Sequence, residues 1–245
     1  YGGQGLDYWY DLVFLEELGH IKALGLSVAI TVQTHMATPA IAEFGSDYLK
    51  ETYLKAAIAG DMVGAIAVTE PGAGSDVAAL QTTAKKDGAD YILNGSKMYI
   101  TNGTQADFFT LLARTGDEKG YHAFSLFIVP SDLTGVQVSR KLEKLGVHIS
   151  DTAELFFDNV RVPAKNLIGQ EGEGFIYQMN QFQHERFSLL PFACTAAGDI
   201  IDMTVDHIRN RIVFGKPLIK RQVLRHRLAD WLTEIECLKH LIYHI

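Results

Sequence analysis

The spacing of apolar residues changes twice along the chain, and each change predicts a different kind of structure. From residue 8 to residue 24 the apolar positions recur every three or four residues, which is typical of one face of an α-helix. Further helices are predicted over residues 26–35, 39–44 and 46–59. Pro39 is expected in the first turn of its helix and Ser46 as an N-cap.

Between residues 62 and 162 the pattern becomes that of short strands. Val, Ile, Thr, Tyr and Phe are frequent there, and Asp-Gly, Asn-Gly and Thr-Gly pairs interrupt them. Residues 91–100 are predicted to form a hairpin with a type I′ turn at Asn94 and Gly95. Short strands at this spacing favour a small antiparallel barrel or sandwich.

The helical spacing returns at residue 172 and continues to about residue 211. At 1.5 Å per residue this predicts a helix about 60 Å long. A kink is expected near Phe187, because Pro191 removes one backbone hydrogen bond. Gly215 is expected to cap this helix and Pro217 to stop it, and a second helix is predicted from there to the end of the chain.

Together these patterns predict an α+β multidomain fold. A helical domain over residues 1–60 precedes an antiparallel β-barrel or sandwich over residues 61–165, and residues 166–245 form part of a helical bundle. The chain starts without Met and stops inside a helical pattern, so we expect it to be a piece of a longer protein.

Composition narrows the class of protein. The 245 residues are 47% hydrophobic and 21% charged, as in ordinary globular proteins. The net charge of −7, with no concentrated basic face, argues against nucleic-acid binding. No run of eighteen apolar residues occurs, so no transmembrane segment is predicted. Cys194 and Cys237 lie in apolar helical sequence, which predicts reduced, buried thiols in a reducing compartment.

The segment from Ala67 to Asp76 has the most specific local chemistry. It reads Ala-Val-Thr-Glu-Pro-Gly-Ala-Gly-Ser-Asp, an apolar run that breaks into a glycine-rich turn. Gly72 and Gly74 tolerate positive φ, so consecutive backbone N–H groups can converge on a phosphate. The alternative is a plain surface turn that closes a hairpin. The spacing does not fit a dinucleotide fingerprint, a Walker loop or a nucleophile elbow.

The stretch Val-Thr-Glu-Pro-Gly-Ala-Gly-Ser-Asp resembles the flavin-contacting signature of the acyl-CoA dehydrogenases. This resemblance implies that Val68 and Thr69 meet the ring of FAD. It also implies that Ser75 lies near the FAD diphosphate and the thioester of the CoA substrate. The order of helices, β domain and long helices agrees with the same family.

A second segment, Tyr99-Ile100-Thr101, resembles the family's Trp-Ile-Thr or Phe-Ile-Thr stretch. In the family the aromatic residue packs on the isoalloxazine and the threonine hydrogen-bonds near N5. Tyrosine keeps the aromatic face and adds a hydroxyl that needs a partner. Without the resemblance, Tyr99 reads as an ordinary cross-strand aromatic residue.

A third segment resembles the Arg-x-x-Phe-Gly…Gln pattern with which one subunit of the family holds the FAD of its neighbour. Arg211, Phe214 and Gln222 occupy those positions. The forked guanidinium of arginine matches the geometry of a diphosphate. By resemblance the active protein is a homodimer or homotetramer, whereas the spacing alone fits a solvated arginine at a helix end.

The resemblance also suggests a catalytic base. Most of the family uses a glutamate near the C-terminus, but isovaleryl- and long-chain-type members use a glutamate on the long helix directly before an arginine. Glu185 and Arg186 stand at that position. Glu185 is therefore the candidate base, with Arg186 and Ser150 as candidate CoA contacts. Taken alone, a glutamate here is most often a solvated helix residue.

The implied function is FAD-dependent α,β-dehydrogenation of an acyl-CoA, with electrons passed to an electron-transfer flavoprotein. An acyl-CoA oxidase or nitroalkane-oxidase-like enzyme, and a catalytically silent flavin-binding scaffold, are the alternatives. The family implies a bacterial cytoplasm or a mitochondrial matrix. No metal site is predicted, because His240 and His244 have helical ligand spacing without a third ligand.

Overall fold

A computed structural model describes residues 1–116 and 120–244 of the chain. Helix α1 spans Tyr8–Gly19, so it ends five residues earlier than predicted, at a glycine, which is a poor helix former. The other N-terminal helices are α2 (Leu24–Thr31), α3 (Pro39–Phe44), α4 (Asp47–Leu49) and α5 (Lys55–Ala59). π-helical turns extend α2 over Val32–Ala37 and join α4 to α5 over Lys50–Leu54.

Both predicted helix-start signals are confirmed. Pro39 occupies the first turn of α3. The Ser46 hydroxyl accepts a hydrogen bond of 3.4 Å from the backbone N–H of Leu49, as an N-cap does.

The chain divides into two compact units. The first unit contains residues 1–4 and 23–185, and the second unit contains residues 5–22 and 186–245. The N-terminal helices from α2 onward thus group with the β-sheet. The three-domain division by sequence stays a prediction.

Within the part of the chain that the structure describes, the first unit is built on an eight-stranded sheet. Its strands are β1 (Gly64–Ala67), β2 (Thr83–Asp87), β3 (Asp90–Thr101), β4 (Phe108–Arg114), β5 (Phe124–Pro130), β6 (Val136–Val138), β7 (Thr152–Pro163) and β8 (Leu167–Ile168). They follow the order β6-β7-β3-β2-β4-β5-β8, with β1 paired to β4. Most pairs are antiparallel, as predicted, but β1 and β2 run parallel to β4.

The predicted hairpin at Asn94 and Gly95 is wrong. Strand β3 runs straight through these residues, and its register against β7 is irregular between Leu93 and Gly95. The turn between β2 and β3 lies earlier, at Gly88 and the residue after it, because Asp87 pairs with Asp90. Both sites are Asp-Gly or Asn-Gly pairs with the same local turn preference.

Gly95 is needed for a close approach between strands and not for a turn. A Cβ at this position would lie 2.8 Å from the Cα of Thr82 on the neighbouring segment. Its φ of 149° also lies outside the region that other residues adopt readily. The glycine therefore lets two backbones meet at a bulge, as isolated glycines in strands often do.

Strand β4 separates two apolar clusters of the first unit. Phe108 and Leu112 point into one cluster, which also includes residues of α3, α5 and the start of the long helix. Phe109 and Leu111 point into the other, formed with β3, β5 and β7. Alternate residues of one strand face opposite sides of a sheet, so a strand apolar at nearly every position is buried on both faces.

The long helix α6 spans Gly174–Asn210. It continues through Pro191, and the predicted kink stays a prediction. An 18-residue window of α6 is apolar enough to meet a length-and-composition criterion for a membrane span. Among the described residues this is one helix only, and the core helix of a soluble protein meets the same criterion, so the indication is weak.

The start of α6 lies directly against the backbone of β5. A Cβ on Gly174 would lie 2.5 Å from the nitrogen of Leu126 and 2.6 Å from the Cα of Ser125. We expect Gly174→Ala to lower the free energy of unfolding by about 1–3 kcal/mol, because neither backbone can move away cheaply. Urea unfolding of the two proteins measures the difference.

Gly198 provides a control on the same helix. No atom of the described residues lies within 4 Å of a Cβ built there, outside the helix's own nearby backbone, and Gly198 is in the middle of α6. Gly198→Ala is expected to stabilise the protein by about 0.5–1 kcal/mol, which is the difference in helix propensity. Equal effects of the two substitutions would contradict the close helix–strand contact at Gly174.

The segment after α6 differs from the prediction. Helix α6 ends at Asn210, and Ile212–Val213 (β9) pairs with Lys216–Pro217 (β10) as a short hairpin. Its turn consists of Phe214 (φ 53°) and Gly215 (φ 76°), so Gly215 is a turn residue and not a helix cap. Positive φ at both central residues is the type I′ geometry of two-residue hairpins. Helix α7 then spans Gln222–Ile242, and Ile245 lies outside the described residues.

The predicted burial of the cysteines is confirmed for Cys194 on α6. It is wrong for Cys237 on α7, which is exposed.

Candidate active site

The glycine-rich turn follows β1 in the first unit. Glu70 and Ala73 exchange two backbone hydrogen bonds of 2.8 and 3.2 Å, which close the turn. Neither Gly72 nor Gly74 has positive φ, so the predicted nest of converging N–H groups is wrong. Strands β1 and β2 on either side pair with other strands, so the turn does not close a hairpin between them either.

The fold itself does not require either glycine of this turn. Of the atoms in residues 1–116 and 120–244, none would lie within 4 Å of a Cβ on Gly72, and only the Thr69 methyl carbon, at 3.7 Å, would lie that close to a Cβ on Gly74. Both glycines are exposed. Their lack of side chains leaves open space beside Thr69, which a bound molecule can enter.

A buried ion pair lies beneath the turn. Lys97 on β3 is fully buried, and its Nζ donates to Glu70 Oε1 at 2.9 Å and to the Val68 carbonyl at 2.9 Å. Glu70 also accepts hydrogen bonds from the backbone N–H groups of Gln81 (2.7 Å) and Thr82 (2.9 Å). Sequence analysis missed this pair, although a lysine at an inward-facing strand position was a possible signal.

The pair perturbs the titration of both groups. Burial lowers the pKa of Lys97 to about 8, although the Glu70 carboxylate opposes the change. Burial alone would raise the pKa of Glu70, but the charge of Lys97 and the hydrogen bonds to the carboxylate outweigh it and lower that pKa.

Tyr99 has an unusual conformation two residues after Lys97. Its φ of 61° lies in the left-handed region, which costs free energy for a bulky residue, and its side chain is 65% exposed. The register of β3 against β7 shifts between Lys97 and Ile100, so Tyr99 sits in a bulge. The bulge presents an aromatic face to the surface, where a planar ring can stack.

The neighbours of Tyr99 face different surroundings. Ile100 is 3% exposed and belongs to the β-sheet core, so only its backbone is available to a ligand. Thr101 is half-buried. Thr69 is half-buried too, and its carbonyl accepts a hydrogen bond of 2.8 Å from the N–H of Met98. The structure therefore joins the two predicted flavin segments by backbone and side-chain hydrogen bonds.

The two serines predicted to meet the substrate differ in exposure. Ser75 is exposed at the end of the glycine-rich turn. Ser150 is buried, and its hydroxyl donates to the Asp151 carbonyl at 3.1 Å. The carbonyl of Ser150 accepts a hydrogen bond of 2.9 Å from Lys144.

Polar side chains line one face of the first half of α6. Gln178 and Gln181 are buried and lie three residues apart, and Glu185 follows one turn later, half-buried. The Gln181 Nε2 donates to Glu185 Oε1 at 2.9 Å and also to the Met36 carbonyl. Glu185 is thus not a fully solvated surface residue, and one carboxylate oxygen is held by an amide.

The second unit contains the remaining predicted residues. Arg211 and Phe214 are exposed, Arg211 at the foot of the β9–β10 hairpin and Phe214 at its tip. The backbone N–H of Arg211 donates a hydrogen bond to the carbonyl of His207. The carbonyl of Arg211 accepts one from the backbone N–H of Leu218, and both bonds are 2.9 Å long. Gln222 is exposed at the first position of α7, and Arg186 is exposed on α6.

These features fit a flavin cofactor. An exposed aromatic side chain, a half-buried threonine and an open glycine turn lie on segments that are hydrogen-bonded together, and they offer ring contacts and hydroxyl donors. Among the described residues, no group of three or more His, Cys, Asp or Glu side chains is arranged to hold a metal ion.

Family models of known proteins match nearly the whole chain. The N-terminal, middle and C-terminal domains of acyl-CoA dehydrogenase match residues 1–61, 65–160 and 172–245.

Individual proteins that are similar to this chain belong to the same family as the matched models. An acyl-CoA dehydrogenase of Bacillus subtilis (strain 168) is 39% identical over 244 residues, which is 100% of this chain and 64% of that protein. The mitochondrial long-chain specific acyl-CoA dehydrogenase of Sus scrofa is 38% identical over 96% of this chain and 55% of its own length. The crystal structure of acyl-CoA dehydrogenase from Geobacillus kaustophilus has a TM-score of 0.93 and 41% identity, over 98% of this chain and 63% of that one.

The chain therefore spans between half and two thirds of the length of these relatives. The order of the matched domains agrees with the predicted α+β architecture. The two signature segments, 68–76 and 99–101, both lie within the matched middle domain. The chain belongs to the acyl-CoA dehydrogenase family of FAD-dependent flavoproteins.

Proposed function

We propose that the whole protein is an FAD-dependent dehydrogenase that introduces a double bond between Cα and Cβ of an acyl-CoA thioester. The observation that carries the proposal is Glu185, which is half-buried, hydrogen-bonded by Gln181 and followed directly by Arg186. The resemblance to long-chain and isovaleryl-type enzymes implies a catalytic base directly before an arginine, and the half-burial and hydrogen bond of Glu185 support that role.

Residues of the first unit are proposed to hold the FAD of their own subunit. Val68, Thr69, Tyr99 and Thr101 would contact the flavin ring, and Ile100 would contribute its backbone because its side chain is in the core. Ser75 would lie near the FAD diphosphate and the thioester of the substrate. When bound, FAD supplies the hydride acceptor of the reaction. The exposure of Tyr99 and the open glycine turn support this assignment.

The proton step is assigned to Glu185. Its carboxylate would remove the weakly acidic α-proton of the substrate, and a bound acyl chain would exclude water from the carboxyl group. Gln181 fixes the orientation of Oε1, and geometry of this kind reduces the cost of aligning base and proton. Arg186, Ser75 and Ser150 are proposed to contact the CoA portion.

Residues of the second unit are proposed to contact a neighbouring subunit. Arg211, Phe214 and Gln222 are exposed, as residues that reach the FAD of a neighbouring subunit must be. The active protein would then be a homodimer or a homotetramer, working in a bacterial cytoplasm or a mitochondrial matrix. An electron-transfer flavoprotein is the proposed acceptor of the electrons.

Anaerobic reduction of the flavin tests the function. The purified full-length protein is expected to be yellow. When it is mixed with each of several acyl-CoAs, its flavin absorbance is expected to bleach, with enoyl-CoA as the product. Bleached protein that recolours rapidly in air without a carrier would favour the oxidase alternative. If the protein retains FAD but is not bleached by short, long or branched acyl-CoAs, the dehydrogenase function is overturned. The catalytically silent flavin-binding scaffold is then the function that fits.

A further inference from the structure

The proposed chemistry does not use the buried pair of Lys97 and Glu70. We propose that this pair positions the flavin-binding wall, so that its loss weakens FAD binding and alters the environment of the bound ring. The inference rests on the proposed FAD site. It assigns Lys97 and Glu70 as positioning residues, because they act through Val68, Thr69 and Tyr99.

The first argument is the connectivity of the pair. Lys97 Nζ holds the Val68 carbonyl and the Glu70 carboxylate, each at 2.9 Å. Glu70 in turn holds the N–H groups of Gln81 and Thr82 at 2.7 and 2.9 Å. One pair of side chains therefore ties together three segments: the end of β1 with its turn, the entry to β2, and β3.

The second argument is the place of those segments. Val68 and Thr69 lie directly before Glu70, and Tyr99 lies two residues after Lys97 in the β3 bulge. The Met98 N–H donates to the Thr69 carbonyl at 2.8 Å, which adds a backbone bond between the same two segments. A shift of Lys97 or Glu70 would therefore change the separation of Thr69 and Tyr99.

The third argument is energetic. Lys97 is 0% exposed and Glu70 7% exposed, so both charges have lost most of their hydration. Burying two charges costs several kcal/mol each, and an apolar pair of similar volume often stabilises a fold as well or better. A charged pair is directional, because each of its hydrogen bonds fixes the position of one atom relative to another. Such a pair therefore suits a place where one backbone arrangement must be specified.

The test compares three variants of the full-length protein. Lys97→Met removes the ammonium group and keeps most of the side-chain length, and Glu70→Gln removes the carboxylate charge at nearly equal volume. Lys55→Met is the matched control, because Lys55 forms an ion pair with Glu51 (3.2 Å between Nζ and Oε2) in which both side chains are exposed. FAD is titrated into each deflavinated protein at a temperature well below the melting temperature of the least stable variant.

We expect Lys97→Met to raise the Kd for FAD at least tenfold and to shift the visible absorption bands of the bound flavin. Glu70→Gln is expected to act in the same direction with a smaller change, and Lys55→Met to leave both quantities at native values. The rise in melting temperature on adding FAD should shrink in the two site variants.

A purely structural role predicts a different pattern. In that case Lys97→Met and Glu70→Gln lower the melting temperatures of apoprotein and holoprotein equally, with Kd within twofold of native and an unchanged flavin spectrum, and the proposal is overturned. If Lys97→Met does not fold, the Glu70→Gln comparison decides. Failure of acyl-CoA to bleach native, FAD-loaded protein would refute the dehydrogenase function alone, since the FAD titration does not depend on substrate.

Discussion

Glu185→Gln is expected to yield a yellow, FAD-loaded protein whose flavin is no longer bleached by acyl-CoA at a comparable rate. A positioned general base contributes about 10²–10⁴-fold to a rate, and an amide cannot accept the α-proton. Glutamine has nearly the shape of glutamate, so its side-chain oxygen can still accept the bond from Gln181. Anaerobic stopped-flow absorbance in the flavin band measures the rate of bleaching.

The control for this prediction is another acidic residue of the same helix. Asp202 is exposed on α6, and Asp202→Asn removes one negative charge without touching the candidate site. We expect native bleaching from it. Normal bleaching by Glu185→Gln would contradict the assignment and would place the base in another part of the whole protein.

The second large effect is expected in the core of the sheet. Phe157 on β7 is 4% exposed and packs edge-to-face on Phe109 of β4, with ring centroids 6.4 Å apart. Phe157→Ala removes this contact and leaves a cavity, so we expect the free energy of unfolding to fall by about 3–5 kcal/mol. Equilibrium unfolding in urea, followed by tryptophan fluorescence and circular dichroism, measures it.

The neighbouring residue Phe156 is a control that distinguishes the effect of burial from the effect of replacing any phenylalanine. Phe156 precedes Phe157 on the same strand but faces the other side of the sheet and is 41% exposed. Phe156→Ala is expected to cost about 1 kcal/mol or less, because most substitutions of partly exposed residues have small effects. Similar losses for the two variants would mean that the assigned register of β7 is wrong.

The general plan of the chain could be predicted from local pattern alone. Helical spacing before residue 60, strand-like sequence up to residue 162 and helical spacing after residue 172 correspond to the observed order of elements. This succeeds because the two periods, 3.6 and 2, are properties of neighbouring residues. The N-cap at Ser46 and the first-turn Pro39 are likewise local and are confirmed.

The turns could not be predicted with the same success. Asn94 with Gly95 and Asp87 with Gly88 are equal hairpin signals, and only the pairing of β3 with both β2 and β7 decides which one turns. Similarly, Gly215 follows a long helix as a cap would, but the pairing of β9 with β10 makes it a hairpin residue. In each case the deciding interaction joins separate segments of the chain.

The site divides in the same way. The sequence by itself determined the family resemblance, the two flavin segments and the Glu-Arg pair on the long helix, since these are runs of adjacent residues that can be recognised without a fold. The tertiary structure alone decided that Lys97 and Glu70, 27 residues apart, form a buried ion pair, and that Gln181 holds Glu185. It also decided that Tyr99 is exposed in a bulge and Ile100 buried. The physical reason is that burial and pairing depend on which strands and helices come together, and no local pattern of side chains specifies that.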